Sequence, residues 1–270
     1  MIKIFFIVVS MLIAAGCGSH VSNSPNWMTM GTVAKISFKN DSIASKFSDF
    51  CNTSPDGRKL VETVKSVYSE VESRLSIWDK DSEISNFSSV ENVSPDMRPC
   101  YLAAFKLQEI SGNIFNPFWR GAAKGPDLGG IAKGFAVDLA AERISRSGAS
   151  NYAGRGVLLD LGGNLKVVSG TWRTGIRNPF GDMLYITLTN SMACATSGEY
   201  ERGKHIYDGR TGKAVSNNLV SVTVVHPCSA MIADGLSTTL FVLGKEDGEN
   251  FLKVHYPEAK AYWILRDRQK

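Results

Sequence analysis

Asp127-Leu128-Gly129-Gly130-Ile131-Ala132-Lys133-Gly134 places a carboxylate, two adjacent glycines and a lysine where an irregular turn feeds an amphipathic helix running to about Ser147. Glycines let a backbone approach a ligand closely, and a helix N-terminus offers free N–H groups to an anion. Asp127 can accept hydrogen bonds from an adenine or a ribose, and Lys133 can meet a phosphate as a point charge. No Ser or Thr follows the lysine, so this is not a Walker A loop, and the glycine spacing is not that of a dinucleotide-binding fingerprint. The stretch also reads as a plain tight turn before a helix.

Upstream of this turn the periodicity is mostly helical. Leu60, Val64, Val67, Val71 and Leu75 recur at three- and four-residue steps, and a second helix is expected over Pro99 to Ile110. Before them, Ala34, Ile36 and Phe38 alternate with Val33, Lys35 and Ser37, the period of a half-buried strand. Downstream the pattern turns to strands at Val157 to Leu161, Trp172 to Arg177, Leu184 to Leu188, Leu219 to His226 and Ala261 to Leu265. One late helix, about Ser229 to Leu243, stops at Gly244. Strands that cluster rather than alternate with helices give an α+β class, with mixed, largely antiparallel sheets flanked by helices.

The chain of 270 residues is 43% hydrophobic, enough for a real core, and its net charge of +4 comes without a Lys/Arg cluster of the nucleic-acid kind. No nucleic-acid partner is therefore expected. Met1-Ile2-Lys3 precedes an apolar run from Ile4 to Ala15, and Ala14-Ala15-Gly16-Cys17 resembles a bacterial lipobox. The expected organisation is a lipoprotein signal peptide over 1–16, a lipidated tether over 17–26 anchored at Cys17, and a single domain over 27–270. This locates the protein on a bacterial membrane, on the periplasmic or outer side. The other cysteines, Cys51, Cys100, Cys194 and Cys228, permit three disulfide pairings or none. No Cys/His spacing suits zinc.

Two further groups carry chemistry. Asp234 and Thr238 stand four apart on the late helix, so a carboxylate and a hydroxyl share one side and suit a hard cation such as Mg²⁺. The same pair also reads as a helix carboxylate beside a buried threonine. His205, one of four histidines, precedes a turn rich in Asp, Gly and Thr, where it could take a proton from a hydroxyl or simply be solvated. Ala195-Thr196-Ser197-Gly198 offers hydroxyls on a flexible turn, and Trp78 could stack on a flat ring or cap the core.

Taken in order, these motifs form a series. Met30-Gly31-Thr32, Leu75-Ser76 with Trp78 and Asp81-Ser82, the Asp127 to Gly134 stretch and Leu161-Gly162-Gly163-Asn164 are followed by Ala195 to Gly198, His205-Ile206 to Thr211-Gly212, and Ala233-Asp234 to Thr238. The chain resembles the ApbE family of FAD:protein FMN transferases, and the resemblance covers nearly everything past residue 27. It implies a two-lobed fold and a Mg²⁺ site made by Asp234, Thr238 and the main-chain carbonyl of Gly130. FAD, the substrate, would meet Met30, Trp78, the main chain of Asn113, Ile114 and Phe115, Asp127, Lys133 and Ile206. Trp78 stands where relatives often place a tyrosine on the isoalloxazine ring, and His205 matches the general base. The implied reaction joins FMN through a phosphoester bond to a Thr or Ser of an exported or membrane flavoprotein and releases AMP. FAD pyrophosphatase activity and non-catalytic FAD binding are the alternatives. Only Phe118 to Pro126 separate Asn116-Pro117 from Asp127, where relatives carry several tens of residues, which implies a more open adenosine side.

Overall fold

The computed structural model describes residues 25–40, 54–146, 155–199, 203 and 205–266. The expected signal peptide, the lipidation site Cys17 and Cys51 lie outside the described residues. Asn26, the last residue of the expected tether, already pairs with Lys35 in the first strand.

A seven-stranded sheet carries the molecule. Its strands in chain order are β1 (Asn26–Thr29), β2 (Thr32–Asn40), β3 (Arg155–Leu161), β4 (Asn164–Ser169), β7 (Ala193–Gly198), β10 (Leu219–His226) and β11 (Lys260–Leu265), which is also their spatial order. Every described pairing is antiparallel, so the α+β class holds with a sheet more uniform than expected. Two short hairpins complete the β-structure: β5 (Trp172–Ile176) with β6 (Leu184–Leu188), and β8 (Tyr207–Asp208) with β9 (Lys213–Ala214).

One sheet face is covered by α1 (Pro55–Leu75), α2 (Arg98–Ile110), α3 (Ala132–Arg146) and α4 (Ala230–Leu243), with α5 (Lys245–His255) packed against α4. Ala34, Ile36 and Phe38 of β2, Leu159 and Leu161 of β3, and Val222 and Val224 of β10 point into this core, as their alternation requires. Residues of opposite parity, among them Leu158, Leu165, Val167 and Val225, form a smaller core with Trp172, Ile176, Ile186 and Leu188 of the β5–β6 hairpin. β10 is buried along its whole length because it lies between two strands and has cover on both faces.

The helices begin and end where local chemistry dictates. α1 starts five residues before the apolar periodicity: Ser54 accepts from the Gly57 N–H as N-cap, and Pro55 takes the first turn, where its missing N–H costs nothing. α4 is capped by Ser229, whose hydroxyl accepts from the Ile232 N–H, and it ends at Gly244, whose φ of 80° favours glycine. Gly162 and Gly163, with φ of 60° and 88°, form the two-residue turn joining β3 to β4. Asn164 thus opens β4. Among the described cysteines, Cys100, Cys194 and Cys228 are free thiols, the first two buried and the third exposed.

Candidate active site

A cavity of about 370 Å³, within the usual range for small-molecule sites, opens where the start of α3, the middle of α4, the ends of β3 and β7 and the His205–Gly209 segment converge. The structure brings Ile114, Phe115, Asp127, Gly130, Lys133, His205, Ile206, Asp234 and Thr238 to its walls. Those residues span 125 positions of sequence, and helix packing explains the assembly. Gly134 on α3 lies so close to α4 that an added Cβ would stand 2.2 Å from the Ala230 carbonyl oxygen. That contact sets Lys133 directly over Asp234.

Asp234 is 4% exposed. Its Oδ2 accepts from the Gly134 N–H at 2.9 Å and lies 3.6 Å from Lys133 Nζ. Burial pushes this carboxyl above the usual range, and Lys133 with the Gly134 bond pulls it back. One turn on, the Thr238 hydroxyl donates to the Gly130 carbonyl at 3.4 Å and lies 3.4 Å from Ser197 Oγ. Ser197 in turn lies 2.8 Å from Ser237 Oγ, and Ser237 donates to the Asp234 carbonyl oxygen. A carboxylate, a hydroxyl and a carbonyl, all hard oxygens, therefore belong to residues that line one cavity. A Cβ on Gly130 would come 3.3 Å from Thr238 Oγ1, so glycine keeps that space clear. This donor set fits Mg²⁺, which takes one or two protein oxygens and otherwise water or phosphate. Among the described residues no three His, Cys, Asp or Glu side chains gather into a group that could hold a metal ion.

His205 is exposed at the rim, and its Nδ1 lies 2.8 Å from the Gly203 carbonyl oxygen. A carbonyl can only accept, so in the neutral imidazole Nδ1 carries the proton and Nε2 the lone pair, the tautomer a general base needs.

Asp127 is tied down. Its Oδ1 accepts from the Gly129 N–H at 2.9 Å, while Oδ2 accepts from Trp119 Nε1 at 3.2 Å and lies 3.6 Å from Arg120 Nε. The Trp119 ring stacks on Tyr207 with centroids 4.6 Å apart and planes 12° from parallel. The short segment Phe118 to Pro126 contributes Trp119 to the cavity wall.

Three expected residues stand off the cavity wall. Trp78 is 91% exposed beyond the end of α1. Asn113 terminates α2 at a φ of 66°, and its carbonyl abuts Gly209. Met30, with a φ of 49°, forms the β1–β2 turn with Gly31. That turn lies at the same sheet end as Gly162, whose N–H donates to the Val33 carbonyl and which does line the cavity. Sequence reading missed Asn116, Trp119, Arg177 and Tyr207 as cavity residues. Arg177 ends the β5 run and looks like any strand-flanking cation, but Tyr207 adjoins His205-Ile206 and could have been found.

A model of the ApbE family matches residues 121–263. The chain belongs to the ApbE family. Its similarity to the FAD:protein FMN transferase of Haemophilus influenzae is 27% identity over 290 residues, covering 81% of this chain and 80% of that protein. The enzyme of the same name from Vibrio cholerae is 36% identical over 138 residues, 45% of this chain and 40% of that one. The fold resembles the flavin transferase ApbE from Vibrio cholerae, with a TM-score of 0.68 at 23% identity over 91% of this chain and 97% of that chain. It also resembles the ApbE protein of Thermotoga maritima, with a TM-score of 0.71 at 22% identity over 91% and 94% of the two chains. The family segment begins at Gly121 and so includes the α3 turn, β7, His205 and Asp234.

Proposed function

We propose that this protein is an FAD:protein FMN transferase that moves FMN from FAD onto a Thr or Ser hydroxyl of a partner protein, with AMP as the other product. The observation that carries the reading is the convergence of Asp234, Thr238, the Gly130 carbonyl, Lys133 and His205 on one cavity, in a family whose curated relatives bear that activity.

Each residue has a definite task. Asp234, Thr238 and the Gly130 carbonyl would hold Mg²⁺, which supplies charge neutralisation at the pyrophosphate, the main thing a protein can add to phosphoryl transfer. Lys133 pairs with phosphate oxygens as a point charge. His205 Nε2 takes the proton of the acceptor hydroxyl as that oxygen attacks the FMN phosphorus. A new O–P bond forms, the P–O bond to the AMP half breaks, and AMP leaves with the bridging oxygen. Ile114, Phe115 and Ile206 give the cavity apolar walls for the rings of the substrate. Met30, the Asn113 main chain and an inward-turned Trp78 are proposed to complete the flavin contacts.

The anchor belongs to the same proposal. Lipidation at Cys17 would hold the domain on the outer side of a bacterial membrane, beside exported or membrane-bound acceptor flavoproteins. No described helix is long and apolar enough to cross a membrane.

The test uses the full-length chain with FAD, Mg²⁺ and a protein fragment bearing an acceptor Thr, read by flavin fluorescence on a denaturing gel and by AMP release. A fluorescent acceptor band that needs Mg²⁺ and is lost in Asp234→Asn establishes the transferase. AMP and free FMN beside an unlabelled acceptor would replace it with a pyrophosphatase. FAD binding without any AMP would leave a flavin-binding lipoprotein.

A further inference from the structure

We propose that Lys133 is a built-in counter-ion for Asp234, which a divalent cation displaces and the dinucleotide phosphates then receive, so that cation and dinucleotide bind with positive cooperativity. The inference rests on the metal and FAD reading above and adds an order to it.

Lys133 Nζ stands 3.6 Å from Asp234 Oδ2 and donates to the Gly129 carbonyl at 3.3 Å, while the next carbonyl, Gly130, accepts from Thr238. The ammonium therefore shares its carboxylate with the proposed cation and sits one carbonyl away from that cation's donor set. A carboxylate only 4% exposed needs an opposite charge, and among the described residues Lys133 is the one cation within ion-pair distance of it. A divalent ion on the same carboxylate would stand a few ångströms from the ammonium, and their repulsion in a poorly solvated site is large.

Lys133 can answer by moving. Its side chain is 20% exposed and lines the cavity, and four flexible methylenes let the head swing without disturbing α3. Two cations beside one buried carboxylate are unfavourable; two cations with a pyrophosphate between them are matched. Bound dinucleotide should thus tighten the cation, and by linkage the cation should tighten the dinucleotide by the same factor. The lysine keeps Asp234 compensated until both arrive.

The experiment measures Mn²⁺ affinity by electron paramagnetic resonance on the full-length protein, with and without FAD. Wild type is compared with Lys133→Met, Lys133→Gln, Lys133→Arg and Asp234→Asn, each checked for a cooperative melting transition. In the absence of FAD, both neutral variants should bind Mn²⁺ roughly tenfold tighter than wild type, a typical coupling magnitude, and should gain less from FAD. Lys133→Arg should keep the wild-type pattern. Neutral variants that bind Mn²⁺ no tighter than wild type without FAD would overturn the counter-ion role and leave the metal site standing. Mn²⁺ binding unaffected by Asp234→Asn would remove the metal site, and this proposal with it.

Discussion

The Gly134 N–H donates to Asp234 Oδ2 at 2.9 Å across 100 residues of sequence, and a Cβ on Gly134 would lie 2.8 Å from Asp234 Cβ. One glycine thus sets both the α3–α4 packing distance and the orientation of the buried carboxylate. Gly134→Ala should overpack this crossing and destabilise the protein by about 3 kcal/mol, read from chemical denaturation. A variant as stable as wild type would show that the helices can part without cost. The same shift should lower FMN transfer more than stability alone accounts for, because Asp234 moves with α4.

Asp234→Asn separates charge from shape. The amide oxygen can still accept from Gly134, while the cost of burying an ionised carboxylate, the main cause of its raised pKa, disappears. The expected outcome is a melting temperature equal to or above that of wild type, with Mg²⁺-dependent transfer reduced by roughly 10²–10³-fold, the scale for losing one preorganised charge-stabilising group. A strong loss of stability would instead mark Asp234 as structural.

Trp119→Ala tests the short segment. Trp119 donates to Asp127 and stacks on Tyr207, so its loss removes one hydrogen bond from the Asp127 carboxylate, which keeps its Arg120 partner, and bares one aromatic face at the cavity wall. FAD affinity should fall by about tenfold, near the 0.5–1.5 kcal/mol of an aromatic pair plus one hydrogen bond. Trp119→Phe should recover part of it. Titration with FAD by fluorescence quenching decides the matter, and unchanged affinity for Trp119→Ala would make the stack a fold contact alone.

Much of this was legible in the sequence. The strands with alternating or β-branched runs, β2 and β10, and the helices α2, α3 and α4 were found near their true ends, whereas α1 starts five residues before its apolar periodicity. β7 was not, because Ala-Cys-Ala-Thr-Ser-Gly carries almost no intrinsic strand preference and is held by its neighbours β4 and β10. α5 was missed for a similar reason: Gly248 sits mid-helix, yet a Cβ there would stand 2.5 Å from the Trp263 ring, so packing outweighs propensity. In the site, residues inside ordered motifs could be named, whereas Trp119 and Arg177 became cavity residues only through contacts distant in sequence. The structure also revealed that Asp127 already has partners within the chain.

One helical turn beyond Gly134, Asp138 on α3 holds the start of α4. It accepts from the Ser229 hydroxyl and from the Ala230 and Met231 N–H groups, and it pairs with the buried Lys166 at 3.0 Å. Asp138→Ala would uncap the helix that carries Asp234 and leave a buried ammonium without its carboxylate. A loss of about 3–5 kcal/mol is expected from the broken buried pair, measured by urea denaturation. Asp138→Asn should cost less, since the amide can still accept from the helix.

Asp160 lies on β3, where it accepts from the Gly163 N–H at 2.9 Å beneath the glycine turn that lines the cavity. Burial holds its carboxyl up at about 6, against the pull of Gly163 and Lys35. A folded pKa above the unfolded value means that the folded state binds more protons between about pH 4 and 6, so stability should fall as pH rises through that window. Asp160→Asn keeps an acceptor for Gly163 and removes the titration. It should therefore gain about 1–3 kcal/mol at pH 7 relative to wild type and lose the slope between pH 4 and 6. Urea denaturation of both proteins at pH 4.5 and pH 7 tests this directly. Parallel pH dependence in the two would mean that Asp160 is ionised throughout and that the turn rests on a carboxylate rather than a carboxylic acid.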